Sequence, residues 1–437
     1  MEKEKTKSAH VLLLPYPAQG HINPLLQFAH RLTANGLRVT LAVPIRCCND
    51  VNKTDPSALT SINLEFISDG YDGGLPSDFD AETYEAELHH VGSQTLDDLI
   101  ARLNAQGSRL VCLIYDSFHT WAFNSCAVSS IYCRYLRGYL VVRTGPDECF
   151  WLPGLPPLGL RDLPSFIGRI AGDHFYLNLL LGQCKNVEKA DYVLKNSFDS
   201  LEGGVSKEMG EPWSPKMIGP ALPSAYLSGE NPRATWTRDK PTRSVVYVSF
   251  GSMAALSAEQ MEEIASALRL SKWPFLWVVR PPLEHQKGGN SLPEGFAEAT
   301  SKQGLVVPWC SQLDVLAHQA VGCFVTHCGW NSKLEGLSQG VPMIAAPLWS
   351  DQQTNSKFIS DVWEVGVRVE VDENEVLRRG ELERCIKEFM EGERGDQLRK
   401  NAHKWRDLAR EAMNEGGSSD NNTKEFAAMV SNGHFNK

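Results

Sequence analysis

The sequence predicts an α/β protein made of two similar β/α halves. Three observations carry this prediction. Short continuous apolar runs, the first at residues 11–15, alternate with longer stretches of helical period, as expected for parallel strands covered on both faces. The runs fall into two series, one ending near Gly219 and the other beginning at Ser244. Between them, residues 222–240 (LPSAYLSGENPRATWTRDK) are polar, Pro-containing and aperiodic, which marks a linker. The expected organisation is a first domain over 1–221, the linker 222–240, a second domain over 241–415, and a C-terminal turn and helix over 416–437 that pack back on the first domain.

Taken in order, residues 11–15 read as a buried strand that breaks at Pro15-Tyr16-Pro17-Ala18-Gln19-Gly20. Asn23 as N-cap and Pro24 at the first helical position predict a helix with Leu25, Leu26, Phe28, Ala29 and Leu32 apolar, ending near Asn35-Gly36. Residues 38–43 form the next strand of a β-α-β unit. His21 then lies in the loop after a strand, at the mouth of a helix, where open parallel sheets place their chemistry. A third strand is expected at 63–67, a Gly/Asp/Pro loop at 68–79 and a long helix at 81–104. Residues 110–115 read as another buried strand, which ends on Asp116 and brings it to the same end of the sheet as His21. A Pro/Leu-rich loop follows at 155–166, a helix at 175–189, and short strands at 192–196 and 217–219.

In the second series, the strand at 244–249 runs into Phe250-Gly251-Ser252, and Ser257-x-x-Gln260 reads as a capping box. Further strands are expected at 275–279, 305–307, 323–326 and 343–345. Charged amphipathic helices follow at 380–390 and 396–413, then a turn at 416–419 and a last helix at 421–431.

Bulk properties narrow the function. The 437 residues have room for two or three domains, and 42% apolar with 22% charged residues is ordinary for a globular enzyme. A net charge of −10 gives no basic footprint for nucleic acid, so an anionic ligand must be held by local N–H groups and histidine. No apolar run approaches the roughly 18 residues of a membrane span, and the first apolar run is too short for a signal-peptide core. The 11 cysteines include no CxxC pair, which favours free thiols in a reducing compartment over disulfides or zinc. A cytosolic monomer with no membrane span and no metal site is the expectation.

The richest stretch runs from Trp309 to Gln352. Its central apolar run stops at His327-Cys328-Gly329-Trp330-Asn331-Ser332 and gives way to a helix-like run. A strand, a glycine turn and an Asn/Ser helix start make a phosphate cradle, because the helix N-terminus offers unpaired N–H groups and a positive dipole end. His327 either donates to a phosphate oxygen or is a buried histidine satisfied by backbone. Glu335, one turn into that helix, accepts from ribose hydroxyls or favours the helix dipole. Trp309 and Trp330 are core aromatics or a base-stacking platform, and Asp351-Gln352 bind a hydroxylated ligand or start the next helix. In the first half, His21 and Asp116 form a base and its orienting carboxylate, or merely cap two elements. There is no GxGxxG after a strand, no G-x-S-x-G elbow and no GxxxxGK[ST], which argues against dinucleotide oxidoreductases, serine hydrolases and P-loop enzymes.

With its WCSQ opening, central HCGWNS and terminal DQ, the 309–352 stretch resembles the signature box of plant family 1 UDP-glycosyltransferases. The resemblance extends along essentially the whole chain, through PYPAQGHINP near the N-terminus, YDSF at 115–118, VVYVSFGS at 245–252 and EGGSSDNN near the end. It is nearest in flavour to the group acting on small carboxylic acids, terpenoids and steroids. It implies a GT-B fold, with two Rossmann-like domains facing across a cleft, the acceptor in the first and the UDP-sugar in the second. The implied reaction is inverting, metal-independent transfer of glucose from UDP-glucose to a hydroxyl or carboxyl of a small lipophilic acceptor. On this resemblance His21 deprotonates the acceptor and Asp116 balances the charge. Trp309 stacks on uracil with Cys310 backbone and Gln312 nearby, and Glu335 takes the ribose hydroxyls. Ser252, His327, Asn331 and Ser332 hold the diphosphate, while Trp330, Asp351 and Gln352 face the sugar.

Two departures from the family pattern carry expectations of their own. Family members have further residues after YDSF, whereas here Trp121-Ala122-Phe123 runs directly into Asn124-Ser125-Cys126-Ala127. A central strand of the first sheet and part of the acceptor pocket are therefore expected to be missing, with a catalytically silent UDP-sugar-binding homologue as the competing outcome. Lys333 stands where the family has Thr or Ser, which brings a charge towards the phosphates.

Overall fold

The computed structural model describes residues 8–48, 60–76, 80–107, 109–116, 126–142, 148–168, 174–184, 187–210, 215–228, 239–281 and 289–433. These fall into two compact units. One takes in the described residues of Met1–Tyr139, Asp173–Leu222 and Ala412–Lys437, and the other those of Leu140–Gly172 and Pro223–Glu411. The second unit thus includes the described residues of Leu140–Gly172, part of the stretch assigned to the first domain. Within that unit Asp162 explains the placement, since its carboxylate accepts from Arg368 Nη1 at 2.7 Å and its carbonyl from Thr354 Oγ1 at 2.7 Å.

The first unit is built on a parallel sheet in the order Asn63–Ile67, Arg38–Pro44, His10–Leu14, Leu110–Tyr115. The apolar run of His10–Leu14 is buried throughout because strands flank it and helices cover it. On one face, Val11, Leu13, Val39 and Leu41 pack with Ile22, Leu26 and Leu32 of the helix Gln19–Ala34. On the other, Leu12, Leu14 and Ala42 meet Leu99 and Leu103 of the helix Ala81–Ala105. The C-terminal helix Ser418–Asn432 joins the first core, with the Phe28 and Phe426 rings 6.2 Å apart. The Arg31 guanidinium donates to Ser419 O at 3.2 Å and to Ile218 O, tying three distant segments together.

Three local expectations are corrected here. The helix begins at Gln19, with Ala18 as N-cap and Pro24 inside it. Ala18 O already accepts from Ile22 N at 3.0 Å, so backbone closure precedes the Asn23-Pro24 signal and His21 sits in the first helical turn. Leu110–Tyr115 is an edge strand rather than a buried one: Val111, Leu113 and Tyr115 are 40%, 42% and 44% exposed on one face. Among the described residues it pairs only with His10–Leu14, and Leu194–Lys195 pairs separately with Lys216–Met217. Residues 117–125, where the further family residues would begin, lie outside the described part. Finally, the helix expected over 175–189 is His174–Cys184, followed by a short 3-10 turn at Val187–Lys189.

The second unit holds a six-stranded parallel sheet in the order Gly304–Val307, Phe275–Val278, Val245–Ser249, Val321–Thr326, Met343–Ala345, Gly366–Arg368. In chain order that is 3-2-1-4-5-6, so the crossover direction reverses between Val245–Ser249 and Val321–Thr326. Both flanking strands are wholly buried. The capping box at Ser257 is half made. Gln260 N donates to Ser257 Oγ at 3.1 Å, but the Gln260 amide turns inward to pair with Leu377 N and O at 2.9 and 3.0 Å. Of the linker, 222–228 and 239–240 are described, including a short helix at Ser224–Ser228, and the remainder lies outside the described residues. Among the described residues no helix is long and apolar enough to cross a membrane.

The edge-strand assignment is testable by paired substitutions. Leu13→Ala should cost about 2–5 kcal/mol of unfolding free energy in urea, whereas Leu113→Ser should stay within about 0.5 kcal/mol of the parent. Comparable losses at the two positions would mean that the Leu113 face is covered.

Candidate active site

Both groups of candidate residues lie at the carboxyl ends of parallel strands. In the first unit, His10–Leu14 and Leu110–Tyr115 are neighbours, and Asp116 N donates to Leu14 O at 2.8 Å. The chain leaves Leu14 through a turn and enters the helix at Gln19, which brings His21 Nδ1 to 2.9 Å from Asp116 Oδ2. The two side chains are 16% and 9% exposed. A carboxylate only accepts, so Nδ1–H is the donor and Nε2 keeps the lone pair that can take a proton.

A buried polar network holds the turn that aims His21. The imidazole lies at 71° to the Tyr16 ring, with centroids 5.5 Å apart, and Tyr16 OH donates to Glu85 Oε1 at 2.9 Å. Arg46 donates to Pro17 O at 3.2 Å and to Asp69 Oδ2 at 2.6 Å, while Tyr84 OH donates to Asp69 Oδ2 at 3.0 Å. Burial pushes the Tyr16 and Tyr84 hydroxyls well above their ordinary pKa, which keeps both as neutral donors. Sequence reasoning missed Arg46, Asp69, Tyr84 and Glu85. The available signal was positional, since Arg46 and Asp69 closely follow the strands Arg38–Pro44 and Asn63–Ile67.

In the second unit, the buried strand Val321–Thr326 passes through His327, Cys328 and Gly329 into the helix Trp330–Gln339. Gly329 is the N-cap, so Trp330, Asn331 and Ser332 supply first-turn N–H groups, and the polar pair sits inside the helix rather than capping it. Cys328 holds φ +67, a left-handed conformation uncommon for a side-chain-bearing residue, and marks the sharpness of the turn. The His327 ring fills the space between two glycines. A Cβ at Gly251, which itself has φ +78, would lie 2.7 Å from Nε2, and one at Gly329 would lie 2.5 Å from it. Among the described residues His327 Nδ1 is buried without a hydrogen-bond partner, and burial lowers the ring's pKa to about 4. A neutral, incompletely satisfied imidazole beside a helix N-terminus suits an anionic oxygen.

Around this cradle, Gln312 Nε2 donates to Glu335 Oε2 at 2.6 Å and to Ser332 Oγ at 3.0 Å, and its Oε1 accepts from Tyr247 OH at 3.2 Å. Burial raises Glu335 to about 7 against the opposing Gln312 hydrogen bond. Burial also raises the Cys310 thiol, 3.6 Å from Tyr247 OH, so it is no thiolate nucleophile. The two tryptophans part company. Trp309 is 54% exposed, whereas Trp330 is 3% exposed with the Lys333 ammonium 3.7 Å from its ring centroid. Ser252 is exposed in the turn after Gly251. Asp351 Oδ2 accepts from Asn355 Nδ2 at 2.7 Å. Gln352 Oε1 accepts from Leu348 N and Trp349 N at 2.8 and 3.1 Å, leaving its Nε2 as a donor. Lys333 departs from expectation. Its Nζ is buried, donates to Asn355 Oδ1 at 2.7 Å and lies 4.7 Å from the Trp363 ring centroid, because aromatic faces and an amide oxygen satisfy it inside the unit.

Residues 229–406 match the family described as UDP-glucoronosyl and UDP-glucosyl transferase, and residues 7–131 match the glycosyltransferase N-terminal domain. The chain is 42% identical over 466 residues to crocetin glucosyltransferase, chloroplastic, of Gardenia jasminoides, covering 97% of this chain and 98% of that protein. It is 40% identical over 465 residues to flavonol 7-O-beta-glucosyltransferase of Arabidopsis thaliana, covering 98% and 99%. The crystal structure of Os79 from O. sativa in complex with UDP matches with a TM-score of 0.86 at 37% identity, over 96% of this chain and 100% of that one. The spans of 466 and 465 residues exceed the 437 of this chain, so both relatives carry positions that it lacks.

Glu335 gives a pH test of the site. Its folded-state pKa of about 7 exceeds the ordinary 4.5, so between those values the native state holds a proton that the unfolded chain has released. Stability from this group therefore falls as pH rises through that window. Urea unfolding should show the parent losing about 2–3 kcal/mol relative to Glu335→Gln between about pH 5 and pH 8. Parallel pH profiles would place Glu335 in a wetter environment.

Proposed function

From a chain that belongs to the plant family 1 UDP-glycosyltransferases, enzymes acting on small metabolites, we propose transfer of glucose from UDP-glucose to a hydroxyl or carboxyl of a small lipophilic acceptor. The observation that carries the reading is the 2.9 Å pair of His21 Nδ1 and Asp116 Oδ2. Asp116 holds the imidazole in the tautomer whose Nε2 is basic and stabilises the imidazolium once a proton arrives.

In this scheme His21 Nε2 takes the proton of a hydroxyl acceptor as the acceptor oxygen bonds to the anomeric carbon, whereas a carboxyl acceptor attacks as the carboxylate it already is. The bond from that carbon to the β-phosphate oxygen breaks, its electron pair leaves with UDP, and attack from the opposite side inverts the centre. The growing diphosphate charge is met by the first-turn N–H groups of Trp330–Gln339, by His327 and by the hydroxyls of Ser252 and Ser332, with Asn331 beside them. No step in this scheme uses a metal ion. Trp309 offers its exposed face to uracil, flanked by the Cys310 backbone and Gln312, and Glu335 accepts from ribose hydroxyls. Asp351 and the donor Nε2 of Gln352 serve the sugar hydroxyls, and Trp330 backs that end. A second reading, UDP-sugar binding without transfer, is favoured by the uncovered Val111, Leu113 and Tyr115 face of the strand that delivers Asp116.

Acceptor-dependent UDP release from UDP-glucose, measured across a panel of phenolic, terpenoid and carboxylic acceptors, separates the two readings. Transfer supports the first; tight UDP binding with no release across the panel supports the second. His21→Ala is expected to lower turnover at least about 100-fold while leaving the UDP Kd within about two-fold. Unchanged turnover would reject the base assignment. Trp309→Ala should weaken UDP binding about ten-fold by calorimetry, the size of one lost base–aromatic stack, and an unaltered Kd would remove Trp309 from the uracil site.

A further inference from the structure

Lys333 carries a charge that no step above uses. It lies on the helix Trp330–Gln339 one position past Ser332, and only 1% of it is exposed. A buried ammonium is costly unless its hydrogens and charge are satisfied. Here the Trp330 and Trp363 rings lie 3.7 and 4.7 Å from Nζ, and Asn355 Oδ1 accepts from it at 2.7 Å. Trp363 reaches this place because the helix Gln352–Lys357 runs on into a wide turn at Phe358–Val362.

The lysine settles which way the Asn355 amide points. With Oδ1 committed to the ammonium, Nδ2 faces the other side, where it donates to Asp351 Oδ2 at 2.7 Å and to Cys328 O at 2.9 Å. Cys328 is the left-handed residue of the turn that leads into the phosphate-facing helix, and Asp351 immediately precedes Gln352. One amide thus braces both borders of the site where the donor sugar would lie. Reversing that amide would bring its oxygen against the carboxylate and the carbonyl, and its hydrogens against the ammonium.

We propose that Lys333 is a positioning residue for the sugar end of the donor site, acting through Asn355 on Asp351 and on the Cys328 turn. This rests on the UDP-sugar reading above. The uridine end, built around Trp309, Gln312 and Glu335, lies outside the relay, and the Cys328 turn beside the diphosphate is also held without it, by Cys328 N donating to Thr326 Oγ1 at 3.2 Å, which leaves Asp351 at the sugar end as the group that depends on Asn355. The relay therefore acts on the extra affinity contributed by the sugar and not on that for UDP.

Calorimetry of the full-length chain with UDP and with UDP-glucose tests this. Lys333→Met keeps the length and apolar contacts but removes the ammonium. Asn355→Thr removes the amide donors from the other end of the relay and leaves a hydroxyl for the lysine, so the test stands if Lys333→Met does not fold. In either variant the UDP Kd is expected within about two-fold of the parent, while the UDP-glucose Kd rises about ten-fold. Equal losses for both ligands, or an unchanged UDP-glucose Kd with a lowered melting temperature, would reduce Lys333 to a structural residue and overturn the proposal. A parent chain that binds neither ligand sinks the UDP-sugar reading itself, and the inference falls with it.

Discussion

The reversal of crossover direction between Val245–Ser249 and Val321–Thr326 constrains most of the second unit. At such a point two loops diverge at the carboxyl ends of adjacent strands and leave a crevice, the usual ligand position in an open parallel sheet. For backbone N–H groups to line that crevice, the loops must be short and close. That explains Gly251 and Gly329 on either side of the His327 ring, where any Cβ would collide with it. It also explains the left-handed Cys328, which turns the chain from strand to helix within three residues. The wholly buried strands on both sides make the turn rigid enough to hold that strain.

The first unit depends on a smaller constraint, the adjacency of two parallel strands. His21 and Asp116 follow His10–Leu14 and Leu110–Tyr115, which pair directly, so their 2.9 Å contact needs no further strand. A chain lacking positions that its relatives carry can therefore retain the pair. The cost falls elsewhere, on the exposed apolar face of Val111, Leu113 and Tyr115 and on a sheet edge that, among the described residues, has no further strand and is of the kind that invites intermolecular pairing.

Much of this was readable in the residues, and the exceptions follow a pattern. Continuous apolar runs located the major strands because a strand covered on both faces has no polar positions to interrupt it. Leu110–Tyr115 defeated the same rule, since its apolar run does not reveal whether anything covers it. Asn23-Pro24 misled because a local capping preference is weak beside a backbone ladder already begun at Ala18. The polar half of Ser257-x-x-Gln260 went inward because Leu377, far along the chain, offered a buried donor and acceptor. The Arg46–Asp69–Tyr84 network and the Lys333 cage were illegible for one reason. Each joins residues whose meeting depends on the packing of separate elements, and no short spacing encodes it.

The second unit gathers ionisable groups that burial shifts away from their ordinary behaviour. Among the described residues the buried His327 Nδ1 has no partner, and the ring's pKa is lowered to about 4, while Glu335 is raised to about 7 and holds a proton through much of the mildly acidic range. Burial disfavours the charged form of each, and on the proposed function each has a partner in uridine diphosphate, one in a phosphate oxygen and the other in the ribose hydroxyls. Lys333 is the exception. Its charge is satisfied internally by two indoles and an amide, so it gains nothing directly from an anion. The division separates groups held ready for a ligand from a group that fixes the geometry around them, and burial alone does not tell the two apart. The partners each group already has make the distinction.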